Sequence, residues 1–382
     1  MRVETTYNVA VLPGDGIGPE LTEEVVKVWR AAERLNDGFR LNLTYFEAGA
    51  GLYLRTGEIL PRAEFEAIAG SDAIYKAPAG LPDAVLPDGT EAGVTDVLLR
   101  SALDLWANVR PIKLRPGVHS PIKDIPEGGI DYVVVRENTE GLYAAWSVGA
   151  KNVTRAPAPA GLVLREEVAV DNLVVSRKAS ERIVRYAFDL AMQRSGCPAD
   201  GTRRVTCVDK ANVLKSYAFF RQIYDEVAAG YPQIQTDYAY IDAMTQWQVR
   251  HPGYFDVVVA ENLFGDIISD LGAATVGSVG MGPGANIGDD IAMFEPIHGS
   301  APKYTGQKKA NPLAAILSAA MMLDWLGRRH DNAAAVRAAQ KVEQAVDAVL
   351  LDGRCRTYDL GGTSRTDAVG DAVVEKLETL IS

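Results

Sequence analysis

Short β-branched runs that end in polar residues alternate along this chain with amphipathic stretches of helical period, and that alternation admits few folds. The runs YNVAVLPGDG, SDAIYKAP, IDYVVVREN, RRVTCVDKAN and FDVVVAEN read as strands. Between them PELTEEVVKVWRAAERL, SERIVRYAFDLAMQR and AAAVRAAQKVEQAVDAVL carry apolar residues at helical spacing. The pattern specifies an α/β fold with a largely parallel sheet core. At 382 residues the chain has length for two or three domains. Polar residues gather just after the strands: Arg136, Glu137 and Asn138; Asp209, Lys210 and Asn212; Glu261 and Asn262. Ligands of open α/β sheets bind outside the carboxyl ends of strands, so these three strand ends predict one crevice.

The charge balance narrows the partners. Against 50 acidic side chains stand 39 basic ones, a net charge of −11, which disfavours nucleic acid and anionic membranes. Cys197, Cys207 and Cys355 lie far apart and form no CxxC pair, so neither a disulfide framework nor a thiolate zinc site is expected. No basic segment followed by a long apolar core opens the sequence, and no run reaches the ~18 apolar residues of a membrane span. A cytoplasmic protein is expected.

The segment ENLFGDIISDLGAA places Asp266 and Asp270 four residues apart, on one helix face, among Leu263, Phe264, Ile267, Ile268 and Leu271. Two like charges held together in apolar company call for positive charge nearby. With Asp242 of YIDAMTQ they offer the oxygen ligands of a hard divalent cation such as Mg²⁺; capping and surface solvation is the bland alternative. Arg100 and Arg110 in LLRSALDLWANVRP, and Arg136 after DYVVV, carry planar forks suited to carboxylates, or else form separate structural salt bridges. Tyr143 and Lys210 are candidate proton-transfer groups. GDGIGPE does not match GxGxxG and reads as a tight strand-to-helix turn. In HGSAPKYTGQKKANP, Asn311 and Pro312 look like a helix entry, and Lys303, Tyr304, Lys308 and Lys309 suit an extra phosphate. The Pro-rich, then β-branched stretch around 152–176 reads as an arm or exposed β-layer used for dimerisation.

GDGIGPE, RENTEGLY, DKANVLK, ENLFGDIISDL and HGSAPKYTGQKKANP, in this order and spacing, resemble the β-decarboxylating dehydrogenases: isocitrate, 3-isopropylmalate, homoisocitrate and tartrate/malate dehydrogenases. The resemblance implies a non-Rossmann, three-layer α/β/α fold with two domains per subunit. Residues 1–105 and 277–382 would form the large, nucleotide-binding domain, and 106–276 the small domain with the dimer interface and arm. It implies a homodimer with shared active sites, a 2-hydroxy acid substrate, Mg²⁺ or Mn²⁺, and NAD or NADP. Arg100, Arg110 and Arg136 would hold substrate carboxylates. Asp242, Asp266 and Asp270 would bind the metal, with Asp242 and Lys210 supplied by the partner subunit. Lys210 with Asp242 would take the hydroxyl proton, and Tyr143 would protonate the enolate. Asn212 would lie near the nicotinamide; His298, Gly299, Ser300, Ala301 and Asn311 would hold the adenosine.

Two departures bear on specificity. Isocitrate enzymes place Ser and Asn where this chain has Val94 and Asp96, and an aspartate there opposes a third carboxylate. Isopropylmalate enzymes place a glutamate followed by leucines; although Glu91 is present, Val94, Thr95 and Asp96 line an isopropyl group poorly, which leaves a small or hydroxylated substituent open. NAD-dependent members commonly carry Asp after HGSAP, whereas Lys303 and Tyr304 stand here, as in NADP-dependent isocitrate dehydrogenases; Tyr358 resembles a further tyrosine of those enzymes. An arginine that follows it in them is Gly362 here, with Arg365 as a substitute. NADP is therefore the expected cofactor. Rival readings are a non-catalytic regulatory subunit of a hetero-oligomeric dehydrogenase and a metal-dependent decarboxylase that needs no nicotinamide.

Overall fold

A computed structural model describes residues 5–35, 37–87, 89–93, 95–144 and 171–381, with the backbone alone at 96 and 381. Ten strands form one sheet in the order β2-β1-β3-β10-β9-β4-β5-β8-β6-β7. Their spans are β1 Thr5–Leu12, β2 Phe39–Tyr45, β3 Ala73–Lys76, β4 Ala107–Lys113, β5 Asp131–Glu137, β6 Arg204–Asp209, β7 Gln235–Tyr240, β8 Val257–Ala260, β9 Pro283–Ile287 and β10 Ala292–Pro296. The five runs read as strands from the sequence are β1, β3, β5, β6 and β8.

Alternation along the strands assigns the layers. Val9 and Val11 of β1, with Val133 and Val135 of β5, face a large core shared with α1 (Gly18–Leu35), α5 (Arg177–Gln193), α6 (Lys215–Ala228), α9 (Leu313–Arg329), α10 (Ala333–Asp352) and α11 (Thr366–Ile381). Ala10 and Leu12 point the other way, toward α3 (Arg62–Ala69) and α4 (Thr95–Ala102). Tyr132 and Val134 likewise meet α7 (Ile241–Arg250) and α8 (Asn262–Thr275). Helices thus cover both faces, the three-layer α/β/α arrangement. Two helix starts in the C-terminal half of the chain carry side-chain caps: the Glu261 carboxylate accepts from the Leu263 and Phe264 amides at α8, and the Asn332 side-chain oxygen accepts from the Ala334 and Ala335 amides at α10.

The sheet is less parallel than the sequence suggests. Its two wings are parallel, but β10–β9, β9–β4 and β4–β5 pair antiparallel at the centre. For β9 and β10 the cause is local: only four residues, Gly288–Ile291, join them, which permits a hairpin and no crossover helix. Strand direction therefore reverses mid-sheet, and the crevice lies beside that reversal. Most of the expected arm falls outside the described residues. Its end is seen at Val174, which forms a bridge with Gly141.

Candidate active site

Lys76 ends β3, Arg136 and Asn138 leave β5, Glu295 and Pro296 end β10, and Asn108 and Arg110 project from β4. With Arg100 from α4, Tyr143, and Asn262 and Asp266 from α8, they line a cleft of about 290 Å³. Register explains the convergence. Asn108 pairs directly with both Arg136 and Asn286, and Arg110, two residues on, shares its face. Seven of the site residues singled out in the sequence meet here: Arg100, Arg110, Arg136, Tyr143, Asp266, His298 and Gly299.

The positive charge required by Asp266 and Asp270 is Arg110 and Arg136. Arg110 Nη1 lies 3.3 Å from a carboxylate oxygen of each aspartate and donates to Ser269 Oγ at 2.8 Å. Arg136 donates through Nη1 to Asp266, and through Nε and Nη2 to Asn262 Oδ1 at 2.9 and 2.6 Å. Burial alone would raise the Asp266 carboxyl, but the guanidiniums of Arg136, Arg110 and Arg100 outweigh it and hold it below the usual carboxylate range. Asp270 differs: its carboxyl is open to solvent on one side, yet the protein packed against the other side partly desolvates it and, with the charge of Asp266, pushes it up against the pull of Arg110. Tyr143 sits under the Arg136 guanidinium, 5.8 Å from ring centroid to Cζ. Burial, aided by Asp266, raises its phenol, which therefore carries its proton at neutral pH.

A second charged group stands behind the first. Glu295 accepts from Lys76 Nζ at 2.8 Å, Arg100 Nη2 at 2.6 Å and Asn286 Nδ2 at 2.8 Å. Burial opposes its charge, yet Lys76 and Arg100 drive its carboxyl far below the ordinary glutamate value. Asn286 Oδ1 in turn receives the amides of Asn108 and Asn138 at 2.7 and 2.9 Å.

The GDGIGPE turn packs against the HGSAP loop. Gly14 and Gly16 have φ of 69° and 60°, and a Cβ at either would fall 2.1 Å from a carbonyl oxygen, of Pro78 and Ser300 respectively. Ile17 donates its amide to Ser300 O at 2.9 Å, and Ser300 Oγ donates to Gly80 O. Asp15 gathers the backbone amides of Gly80, Ala50 and Gly51 within 2.9 Å. Ala301 takes a left-handed φ of 40° where the loop turns. Beyond it the Tyr304 and Tyr358 rings lie 5.6 Å apart, Lys303 Nζ sits 4.8 Å from the Tyr304 centroid, and Lys309 Nζ reaches both rings at 5.1 and 4.6 Å. Asn311 is buried, donates to Asp359 at 3.0 Å and accepts from the Leu313 amide, opening α9 as expected. Arg365 pairs instead with Asp367 at 3.1 Å.

Lys210 and Asp242 meet each other at 2.5 Å but do not line this cleft, nor does the exposed Asn212. Val94 and the Asp96 side chain lie outside the described residues; the neighbouring Val97 lines the cleft.

A sequence profile described as "Isocitrate/isopropylmalate dehydrogenase" matches residues 8–373. The chain belongs to the isocitrate/isopropylmalate dehydrogenase family. It is an enzyme of the metal-dependent, NAD(P)-linked decarboxylating dehydrogenases. It is 41% identical over 372 residues to the 3-isopropylmalate/3-methylmalate dehydrogenase of Methanocaldococcus jannaschii, covering 97% of this chain and 99% of the relative. It is also 41% identical over 378 residues to the 3-isopropylmalate dehydrogenase of Thermobifida fusca, covering 97% and 98%. Among solved structures, isocitrate dehydrogenase from Methylococcus capsulatus superposes with a TM-score of 0.80 at 37% identity, covering 97% and 99%. The apo form of a beta-decarboxylating dehydrogenase from Thermococcus kodakarensis gives 0.74 at 35%, covering 98% and 97%.

The donor set of this dehydrogenase fits a divalent cation in part. Asp266 and Asp270 are side by side and Asp270 is exposed, as a hard cation that keeps several waters requires. Among the described residues of one chain, no third His, Cys, Asp or Glu joins them. Sequence reasoning missed Glu295, Lys76, Asn286 and Asn262. Asn262 had been noted only as a polar residue after a strand; the others sit in or beside strands too short for a lone polar residue to stand out.

Proposed function

We propose that this dehydrogenase oxidatively decarboxylates a 3-alkylmalate, drawing its hydride acceptor from NADP in preference to NAD. One observation carries the reading: three arginines, Asp266 and a protonated tyrosine converge on one cleft that also presents an apolar patch, at Pro78, Ala79, Val97 and Ile297. The arginines suit two carboxylates; the apolar patch suits an alkyl substituent better than a third carboxylate. The names of the relatives, 3-isopropylmalate and 3-methylmalate dehydrogenase, agree with this.

Arg100, Arg110 and Arg136 hold the carboxylates and fix the C2 hydrogen in one direction, so that transfer starts from an oriented substrate. A cation at Asp266 and Asp270 and a nicotinamide beside His298–Asn311 supply, when bound, Lewis acidity and the hydride acceptor. Lys210, as the free amine, takes the proton of the 2-hydroxyl, and Asp242 holds the ammonium that results. Loss of CO₂ then leaves an enolate, and the Tyr143 hydroxyl gives its proton to the enolate carbon.

Because Lys210, Asp242 and Asn212 stand apart from their own chain's cleft, they are assigned to the cleft of a second copy, in a homodimer. Residues 1–105 with 277–382, and 106–276, are the two domains that open and close the cleft. The NADP preference rests on Lys303 and Lys309, held over Tyr304 and Tyr358 without a carboxylate partner among the described residues. A 2′-phosphate fits such a place. No helix among the described residues is long and apolar enough to cross a membrane, and a cytoplasmic location is proposed.

The test is reduced-nicotinamide absorbance with Mg²⁺ or Mn²⁺. NAD and NADP are crossed with 3-isopropylmalate, 3-methylmalate, malate, tartrate, homoisocitrate and isocitrate. A strong signal from an alkylmalate with NADP is expected; a strong signal from isocitrate alone refutes the substrate.

A further inference from the structure

Asn262 is buried at the first position of α8, and its amide has acceptors and donors on opposite sides. Its Oδ1 receives Nε and Nη2 of Arg136 at 2.9 and 2.6 Å. Its Nδ2 donates to the Glu140 carbonyl at 2.8 Å. A guanidinium only donates and a carbonyl only accepts, so the amide orientation is fixed by its partners. A neutral amide is the side chain of this size that serves both without adding charge; aspartate has no donor and a carboxylate has no place against the Glu140 carbonyl. The helix itself leans on the arginine, since a Cβ at Gly265 would lie 2.6 Å from Arg136 Cβ.

Glu140 belongs to the turn that carries Tyr143. That turn is held from its other side by the Glu137 carboxylate, which accepts from the Thr139 and Glu140 amides at 3.0 and 2.8 Å. The Arg136 guanidinium lies over the Tyr143 ring. One side chain therefore touches both the carboxylate-binding arginine and the loop of the proton donor.

We propose that Asn262 is a positioning residue that locks Arg136 and the Tyr143 turn into one unit, so that substrate anchoring and proton delivery share a single geometry. The roles of Arg136 and Tyr143 rest on the function proposed above; the coupling between them does not, and the experiment separates the two. Two readouts are taken on folded Asn262→Ala and Asn262→Asp enzyme, checked by circular dichroism.

The first is calorimetric binding of malate in a double-mutant cycle with Arg136→Lys. Asn262→Ala is expected to weaken malate about tenfold in the wild-type background and less than twofold beside Arg136→Lys. Equal losses in both backgrounds would overturn the coupling to Arg136. The second is the ¹⁹F resonance of 3-fluorotyrosine at position 143. A shifted or broadened line in both variants is expected, and a line unchanged in both overturns the link to the turn. Wild-type enzyme that binds no malate-type acid refutes the substrate reading alone, because the fluorine signal still reports on Asn262. If Asn262→Asp does not fold, Asn262→Ala carries both readouts.

Discussion

Glu295→Gln isolates the charge that balances the rear of the cleft. In the native protein two cations share one buried carboxylate: the side chains of Lys76, Arg100 and Glu295 are 5%, 9% and 7% exposed. Glutamine keeps the shape but presents an amide to three donors, and leaves two like charges near each other out of water. Removing one member of a buried ionic group costs about 3–5 kcal/mol. A chain of 382 residues unfolds with an entropy of about 0.8 kcal/mol/K, so Tm should fall by about 4–6 °C. Differential scanning calorimetry at pH 7 measures it.

The pH dependence has a fixed sign. Glu295 has a folded value depressed below 4.5, so its stabilisation is fully present above 4.5 and is lost as pH falls below it. The variant should lack that limb, and the gap between the two proteins should narrow toward acid. A Tm within 1 °C of wild type, or a gap that widens below pH 4.5, would refute the view that Glu295 is an anion holding two cations. Activity adds a second check: KM for the hydroxy acid should rise about tenfold, because Arg100 loses the oxygen that aims it.

Lys303→Asp should weaken NADP binding about tenfold and leave NAD within threefold, read by fluorescence titration; retained preference for NADP would remove Lys303 from the phosphate site. Asp270→Asn should raise the Mg²⁺ concentration for half-maximal activity at least tenfold, while Tm in EDTA stays the same or rises as the repulsion with Asp266 goes. Gly16→Ala should displace the turn from Ser300 and cost about 1–3 kcal/mol, with weaker nucleotide binding; a fully stable variant that binds nucleotide normally contradicts the close approach. Mixed dimers of Arg136→Ala and Lys210→Ala chains, each inactive alone, should regain part of the wild-type rate if the clefts are shared.

What the sequence revealed follows from periodicity. Asp266 and Asp270 were readable as a pair because a helix brings i and i+4 together, and Arg136 because it ends a β-branched run. Arg110 was readable for its type but not for its partners, which lie about 160 positions away. Glu295 was hidden for the same reason: nothing in AMFEP announces that Lys76 and Arg100 come from 219 and 195 positions earlier. The antiparallel centre is not legible because β4 (ANVRPIK), β9 (PGANI) and β10 (AMFEP) carry prolines and isolated polar residues in place of an unbroken β-branched run. The turn GDGIGPE showed its glycines, but not that Asp15 would collect three backbone amides from two other segments. Substrate choice was least legible, since Val94 and Asp96 matter through where their side chains point.

The central hairpin also sets a timetable for synthesis. β3 is an edge until β10 arrives, and Arg100 waits for a partner 195 positions downstream. At about 5–20 residues per second the nascent chain spends roughly 10–40 s before Glu295 and β10 are made. Strands β1, β2 and β3 are complete as a parallel set long before β9 and β10 are made, but the cleft is not. It can be completed only once β9 and β10 have been made and paired between the two wings. A ribosome stalled before residue 283 would therefore hold an incomplete sheet with an open edge, one more exposed to aggregation than the finished enzyme.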